Sequence, residues 1–499
     1  MYSPTPDIIA FTSPFRKALL SPQQIQRLKN GTLLVLEEVG IQFPSHRALE
    51  IFADSGAKVD MQRQIVRIPS DLVERTMARA PRSFVLAGRE ERFDLVLDGN
   101  QTYICTAGTG VHVVDLQTRQ MRASRQEDLA QIARVADALP MISFLWSTVT
   151  SQDHGSSAPV HDCYAMLTNT LKHVRGGTTV DPQLAHHIVE MATVVAGSAE
   201  NRRKRPPINA NICTIAPLAQ DKHGIECALI YAEAGIPVSF MAMTTMLSTA
   251  PATPLGALVL GDAEVISAMV LIQLAFPGAP VFHSVYVSIM EPRTGAYVSK
   301  VPLPLNMMSV ELAHAWNVPS LGGARMGSDA LDIGWQSGME ATAGAAYLAL
   351  TNGEICGNIG LLGGAMIFSP EQIILDHEIC WTAFELMHGF DFDSYDLALD
   401  VIKQVGPRGN FLTEEHTLQH LRDFHLSKLL NRKHKGGGWI DPRDLALEEF
   451  KRIDGSHRPQ PLPTEVRREL DRILLAADKE RAKLLQLGKA SGGDHDLLQ

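Results

Sequence analysis

From residue 142 to residue 362 the chain repeats one rhythm. A short apolar, β-rich run gives way to a helical stretch, about every 30–45 residues. The runs are ISFLWSTVT (142–150), HVRGGTTV (173–180), INANICTI (208–215), IPVSFMAM (236–243), PVFHSVY (280–286), VPSLGGAR (318–325) and EICGNIGLL (354–362). Helical patterns fill the gaps at 159–172, 181–197, 221–235, 261–276, 303–316 and 336–351. The runs are continuously apolar rather than alternating, as strands covered on both faces require. Seven such units predict an α/β fold, a (β/α)8 TIM barrel rather than an open sheet. No glycine-rich dinucleotide fingerprint follows any run, which argues against a Rossmann fold. The eighth strand stays open between AMIFS, before Pro370, and a run from the N-terminal section.

The flanks divide the chain further. Residues 1–122 read as a helical and small antiparallel β section packed on the barrel, 123–400 as the barrel and 401–499 as a C-terminal helical tail. SPQQIQRLKNGTLLVLEEVG opens with Ser21, Pro22 and Gln24, a capping box with proline in the first turn. Further helices are expected from Ser45 and near Ser70. SFVLAG, FDLVLDG, TYICTAG and GVHVVDL, between 83 and 122, are short strands split by turn residues. The tail is broken by GGGW at 436–439.

Composition removes several classes of function. The chain of 499 residues carries a net charge of −10, and its densest basic runs, NRRKRPP and NRKHK, are short. Nucleic acid is therefore not an expected partner. The N-terminus lacks the apolar core of a signal peptide, and no membrane span is expected. Six cysteines without a CxxC pair fit an intracellular, cytoplasmic protein with reduced thiols. The acidic balance and large barrel fit a homo-oligomer, dimer or hexamer.

Barrel chemistry lies at the C-terminal ends of the strands. The residues there are Gln152, Asp153 and His154, then Pro217, then Thr244, Thr245 and Met246, then Tyr286, Glu291 and Arg293. Arg325, Ser328, Asp329 and Asp332 follow, and then Asn358. Soft and aromatic residues gather nearby: Met241, Met243, Met290, Met326 and Met366, with Trp146, Phe240, Phe282, Tyr286 and Trp335. As a group they suit an apolar or cationic ligand. Gln336 and Glu340 share one helix face. His161 and Cys163 have an HxC spacing but no further cysteine partners, so no metal site is expected. A serine-hydrolase elbow is absent.

The order of these features resembles one family. LEEVGIQFPSHRALEIFADSGAKVD, VRIPSDLVERTMARAPRSFVLAGRE and YICTAGTGVHVVDLQTRQMRAS are similar to the N-terminal section of the trimethylamine methyltransferases, the corrinoid-dependent amine methyltransferases. GARMGSDALDIGWQSGMEATAGAAYLALTNGEICGNIGLL and FSPEQIILDHEI resemble the later signature regions. The resemblance implies a TIM barrel that passes a methyl group from an amine to the cobalt of a separate corrinoid protein. Archaeal trimethylamine enzymes of the family carry pyrrolysine, at a position that falls within 325–335 here, where this chain has standard residues only. Members without pyrrolysine resemble glycine betaine methyltransferase.

The chemistry implied fits that distinction. A quaternary ammonium has no lone pair to add to an imine, and it loses methyl without prior protonation. The resemblance thus implies a quaternary amine substrate and cob(I)alamin cofactor carried by the partner, since this chain lacks the DxHxxG corrinoid-binding motif. Trp146, Phe282, Tyr286 and Trp335 are the expected cation cage. His154, Arg293 and Arg325 are the expected donors to a betaine carboxylate. Asp329, Gln336 and Glu340 are the expected catalytic residues, on the loop and helix that replace the pyrrolysine site. The alternatives are a trimethylamine methyltransferase and a non-catalytic quaternary-amine binder. A Schiff-base lyase is disfavoured because Lys172 precedes its strand.

Overall fold

Strands and helices alternate from Tyr103 to His388. The strands are β1 (Tyr103–Thr106), β2 (Phe144–Trp146), β3 (His173–Gly177), β4 (Ile208–Ile215), β5 (Val238–Met246), β6 (Val281–Met290), β7 (Leu321–Arg325) and β8 (Ile355–Ile359). Each is followed by a helix: α1 (Gln126–Ala138), α2 (Ala158–Asn169), α3 (Pro182–Ala196), α4 (Lys222–Glu233), α5 (Pro254–Ala275), α6 (Leu303–Ala315), α7 (Trp335–Leu350) and α8 (Pro370–His388). This computed structural model describes residues 3–490 apart from 107, 178, 300–302, 389–392, 394, 395, 422, 424, 428, 430–437 and 439.

All neighbouring barrel strands are parallel, and the ring closes. β8 meets β1 with Ile355 opposite Tyr103, and β1 meets β2 with Cys105 opposite Phe144. β6 and β7 touch through a parallel bridge between His283 and Ser320, where the His283 amide donates to the Pro319 carbonyl at 2.9 Å. The fold is the expected TIM barrel.

The eighth strand is the run TYICTAG of the N-terminal section. The barrel thus begins at Tyr103, inside the stretch expected to precede it. All four residues of β1 are buried, as a strand between the barrel interior and the helical ring must be. The antiparallel unit expected over 83–122 is correspondingly divided. Phe84–Leu86 and Leu95–Leu97 form a separate hairpin. His112–Val114 and Met121–Ala123 join Leu361–Leu362 and Ile367–Phe368 in a four-stranded sheet. AMIFS belongs to this smaller sheet and not to the barrel.

The N-terminal helices form where expected, the first two capped by Ser21 and Ser45 and the third starting at Ser70 without a side-chain cap. Gln24 and Ser21 make the reciprocal capping box, the Ser21 amide donating to the Gln24 side chain at 2.7 Å. These helices cover α5. An 18-residue window of α5 is apolar enough to cross a membrane, against expectation, but 78% of it is buried inside the protein. Polar bonds pin the layers together: Asp262 on α5 accepts from Thr32 at 2.6 Å, from Trp316 at 3.0 Å and from the His283 ring at 2.8 Å.

The tail also packs on the barrel. In the helix Thr464–Ala490, Asp478 accepts from Ser157 at 2.7 Å and bonds the His161 ring at 2.9 Å. Arg481 pairs with Asp181 at 2.7 Å. Most of the GGGW run lies outside the described residues.

Candidate active site at the mouth of the barrel

A cavity of about 520 Å³ opens at the C-terminal ends of the strands. It is lined by Trp146 of β2, Met241 and Met243 of β5, and Tyr286 of β6. Tyr297, Asp329, Asn358 and the turn Gly363–Met366 line it too. Alternation along β5 and β6 sends every second side chain inward, so Ser239, Met241 and Met243 share the inner face of β5, and Phe282, Ser284 and Tyr286 that of β6. Most of the lining is aromatic ring, thioether and aliphatic carbon.

The turn at the rim needs an unusual backbone. Gly363, Gly364 and Ala365 have φ of 58°, 64° and 78°. Three successive left-handed residues are accessible because two are glycines. The turn is laced to the loop after β7: the Gly363 amide donates to the Ala330 carbonyl at 2.8 Å, and Gly364 to Ser328 at 3.1 Å.

That loop is organised by one buried carboxylate. Glu340 on α7 accepts from the Ser328 hydroxyl at 2.5 Å, the Asp329 amide at 2.8 Å and the Gln336 side chain at 3.0 Å. Its neighbour Asp329 turns towards the cavity. The Asp329 carboxylate accepts from the Ser299 amide at 2.7 Å and the Ser299 hydroxyl at 2.6 Å. Asp332 faces away and pairs with Arg443 at 3.2 Å.

Against Trp146, inside the barrel and behind the cavity lining, lies a guanidinium that the expected site residues do not include. Arg175 on β3 is in register with Trp146 on β2, and its charge lies 4.3 Å from the Trp146 ring centre. Phe282 and Phe144 lie at 5.4 Å and 5.8 Å. Arg175 is fully buried, and Nε, Nη1 and Nη2 all lack a hydrogen-bond partner. Burial pushes it down to about 10, opposed only by the thiols Cys105 and Cys213. The only signal in the sequence was a charged residue in the middle of the strand HVRGGTTV.

The expected site residues thus separate into groups. Trp146, Tyr286 and Asp329 line the cavity, Phe282 lies beneath it, and Glu340 with Gln336 braces the Asp329 loop. Trp335 does not line the cavity; as the first residue of α7 it is 81% exposed at the rim. Arg293 turns outward, with its side chain 90% exposed and paired to Glu291 at 2.8 Å. His154 sits in the outer layer, stacked on His161 at 3.5 Å between ring centres. The Arg325 side chain lies outside the described residues. Among the described residues no three His, Cys, Asp or Glu side chains are grouped to hold a metal ion.

Comparison with known proteins gives consistent matches along the chain. The family model described as trimethylamine methyltransferase (MTTB) matches residues 8–480. Trimethylamine methyltransferase MttB of Desulfitobacterium hafniense is 33% identical over 480 residues, 95% of this chain and 96% of the relative. Glycine betaine methyltransferase of Desulfitobacterium hafniense strain Y51 is 28% identical over 473 residues, 93% of this chain and 97% of the relative. A crystal structure of Methanosarcina barkeri monomethylamine methyltransferase (MtmB) superposes with a TM-score of 0.48 and 11% identity, covering 95% of this chain and 89% of that one.

Proposed function

This chain belongs to the trimethylamine methyltransferase family, and on that premise we propose that it moves a methyl group from a quaternary amine of the glycine betaine kind to cob(I)alamin carried by a separate corrinoid protein. It is a methyltransferase by its relatives. The observation that carries the finer reading is the cavity lining: Trp146, Tyr286 and Tyr297 supply ring faces, and Met241, Met243 and Met366 supply thioethers. A quaternary ammonium offers no hydrogen-bond donor. It is held by the negative faces of rings and by polarisable sulfur, at about 0.5–2 kcal/mol per ring contact.

The reaction asks little else of the protein. The C–N bond breaks with its electron pair going to nitrogen, which leaves as a neutral tertiary amine. Cobalt(I) supplies the pair for the new Co–C bond. No proton moves, so no general acid or base is required. The chain's task is to hold the cation in line with the mouth and keep water out.

Asp329 is the acidic group that faces the substrate. A bare carboxylate would stabilise the cation, whose charge vanishes in the transition state, and so would oppose turnover. The two hydrogen bonds from Ser299 disperse that charge. Asp329 therefore orients the ammonium at small cost to the reaction. Glu340 and Gln336 act through it, as positioning residues. Around the mouth, Leu331, Trp335 and Met339 are exposed, and they form the face on which the corrinoid protein seats.

The test is a substrate panel. With the corrinoid protein reduced, the visible spectrum of cobalt should change on addition of a quaternary amine and not of trimethylamine. A response to trimethylamine alone would reverse the substrate assignment. Binding of quaternary amines without any spectral change would make the chain a binder.

A further inference from the structure

We propose that Arg175 is the receptor for an acidic group on the substrate, so that the molecule taken is a zwitterion with its acid directed down the barrel and its ammonium at the mouth. The inference rests on the quaternary-amine reading above and adds to it the residue that selects the tail.

Three buried polar groups of the barrel interior lack partners among the described residues. They are the Arg175 guanidinium, the Trp146 indole Nε1 and the Ser284 hydroxyl. Their strands bring them to the same interior. Arg175 is opposite Trp146, and Trp146 lines the cavity. Ser284 is opposite Met241, another lining residue, so it faces the barrel interior as well. A guanidinium and an indole N–H can only donate. What is missing is an acceptor, and because Arg175 is charged, an anionic acceptor.

The described residues do not supply that anion. Among the described residues no carboxylate acts on Arg175; its neighbours in charge are Cys105 and Cys213. Burial pushes the Cys105 thiol up to about 12 and raises Cys213 too, so both remain neutral. A buried charge without a counter-ion is costly, and one placed beside a binding cavity is poised to be neutralised by a ligand. Trp146 lines the cavity and lies against the guanidinium, so the acid would reach Arg175 beside the indole. The polarity also suits the reaction. The guanidinium charge repels the ammonium towards the mouth, where the methyl group must meet cobalt.

Three probes separate the contributions in calorimetric titrations of the full chain. Glycine betaine has both charges, tetramethylammonium only the cation, and 3,3-dimethylbutyrate only the acid. The wild type should bind glycine betaine about 10- to 100-fold more tightly than tetramethylammonium. Arg175→Met should erase that preference, bind tetramethylammonium at least as tightly as the wild type and abolish 3,3-dimethylbutyrate binding. Arg175→Lys should restore part of the preference and guards against a folding defect in the first variant. A preference that survives in Arg175→Met, or none in the wild type, overturns the inference. If neither cation binds while 3,3-dimethylbutyrate binds through Arg175, the quaternary-amine reading fails and the acid receptor stands. Binding of none of the three overturns both.

Discussion

Glu340 holds Ser328 by a hydrogen bond of 2.5 Å between its carboxylate and the serine hydroxyl, and the same oxygen accepts the Asp329 amide. One helix side chain thereby sets the path of the loop that aims Asp329 into the cavity. The acidic and polar cluster in GARMGSDALDIGWQSGMEATAG is a brace around Glu340, with Asp329 facing the cavity.

Glu340→Ala should therefore act through Asp329. Removing the carboxylate strands a buried hydroxyl and amide, at about 1–3 kcal/mol of local stability. Turnover should fall by about 10- to 100-fold, because small misplacements near a reacting centre are expensive. Steady-state kinetics with thermal melting checks this. A variant with full turnover would remove the brace from the mechanism.

The cation cage makes a separate prediction. Tyr286→Ala and Trp146→Ala should each weaken quaternary-amine binding by about 2- to 30-fold, the worth of one cation–π contact. Trp335→Ala should leave it unchanged, since Trp335 lies outside the cavity. Calorimetry with tetramethylammonium decides.

Trp335 should instead matter to the partner. Trp335→Asp places a charge in the exposed apolar rim and should raise the KM for the corrinoid protein by about tenfold or more. Amine binding measured without the partner should not move. Unchanged KM would assign docking to another face.

Glu264 predicts a pH dependence of stability. It lies on α5 and accepts from Thr214 at 2.5 Å and the Leu218 amide at 2.8 Å. Burial pushes it from 4.5 up to about 7. Between these values the folded chain retains a proton that the unfolded chain has released. Its contribution is complete below pH 4.5 and is lost as pH rises through about 7. Glu264→Gln mimics the protonated form. It should flatten that slope and be more stable than the wild type above pH 7, by about 3 kcal/mol at most. Denaturant titrations across pH 4–8 test it, and parallel curves for the two proteins would contradict it.

The barrel was legible because covered parallel strands and their helices leave a strong periodic mark. β1 was not, because Tyr103–Thr106 sits among short strands of a different kind, and only the closure of the ring identifies it. That Trp146, Tyr286 and Asp329 lie at the cavity was legible from their strand-end positions. Position alone misjudged Trp335 and Arg293: a residue just past a strand can face the rim as readily as the cavity. Arg175 was missed for the opposite reason, lying inside a strand where apolar packing is the rule.

The most direct test of the account follows the atoms. The protein and its reduced corrinoid partner are mixed with glycine betaine carrying deuterated methyl groups, and both products are quantified by mass spectrometry. The account predicts one deuterated methyl on cobalt for each dimethylglycine formed. Methylated cobalt from trimethylamine only, or glycine betaine recovered intact beside unmethylated cobalt, would contradict it.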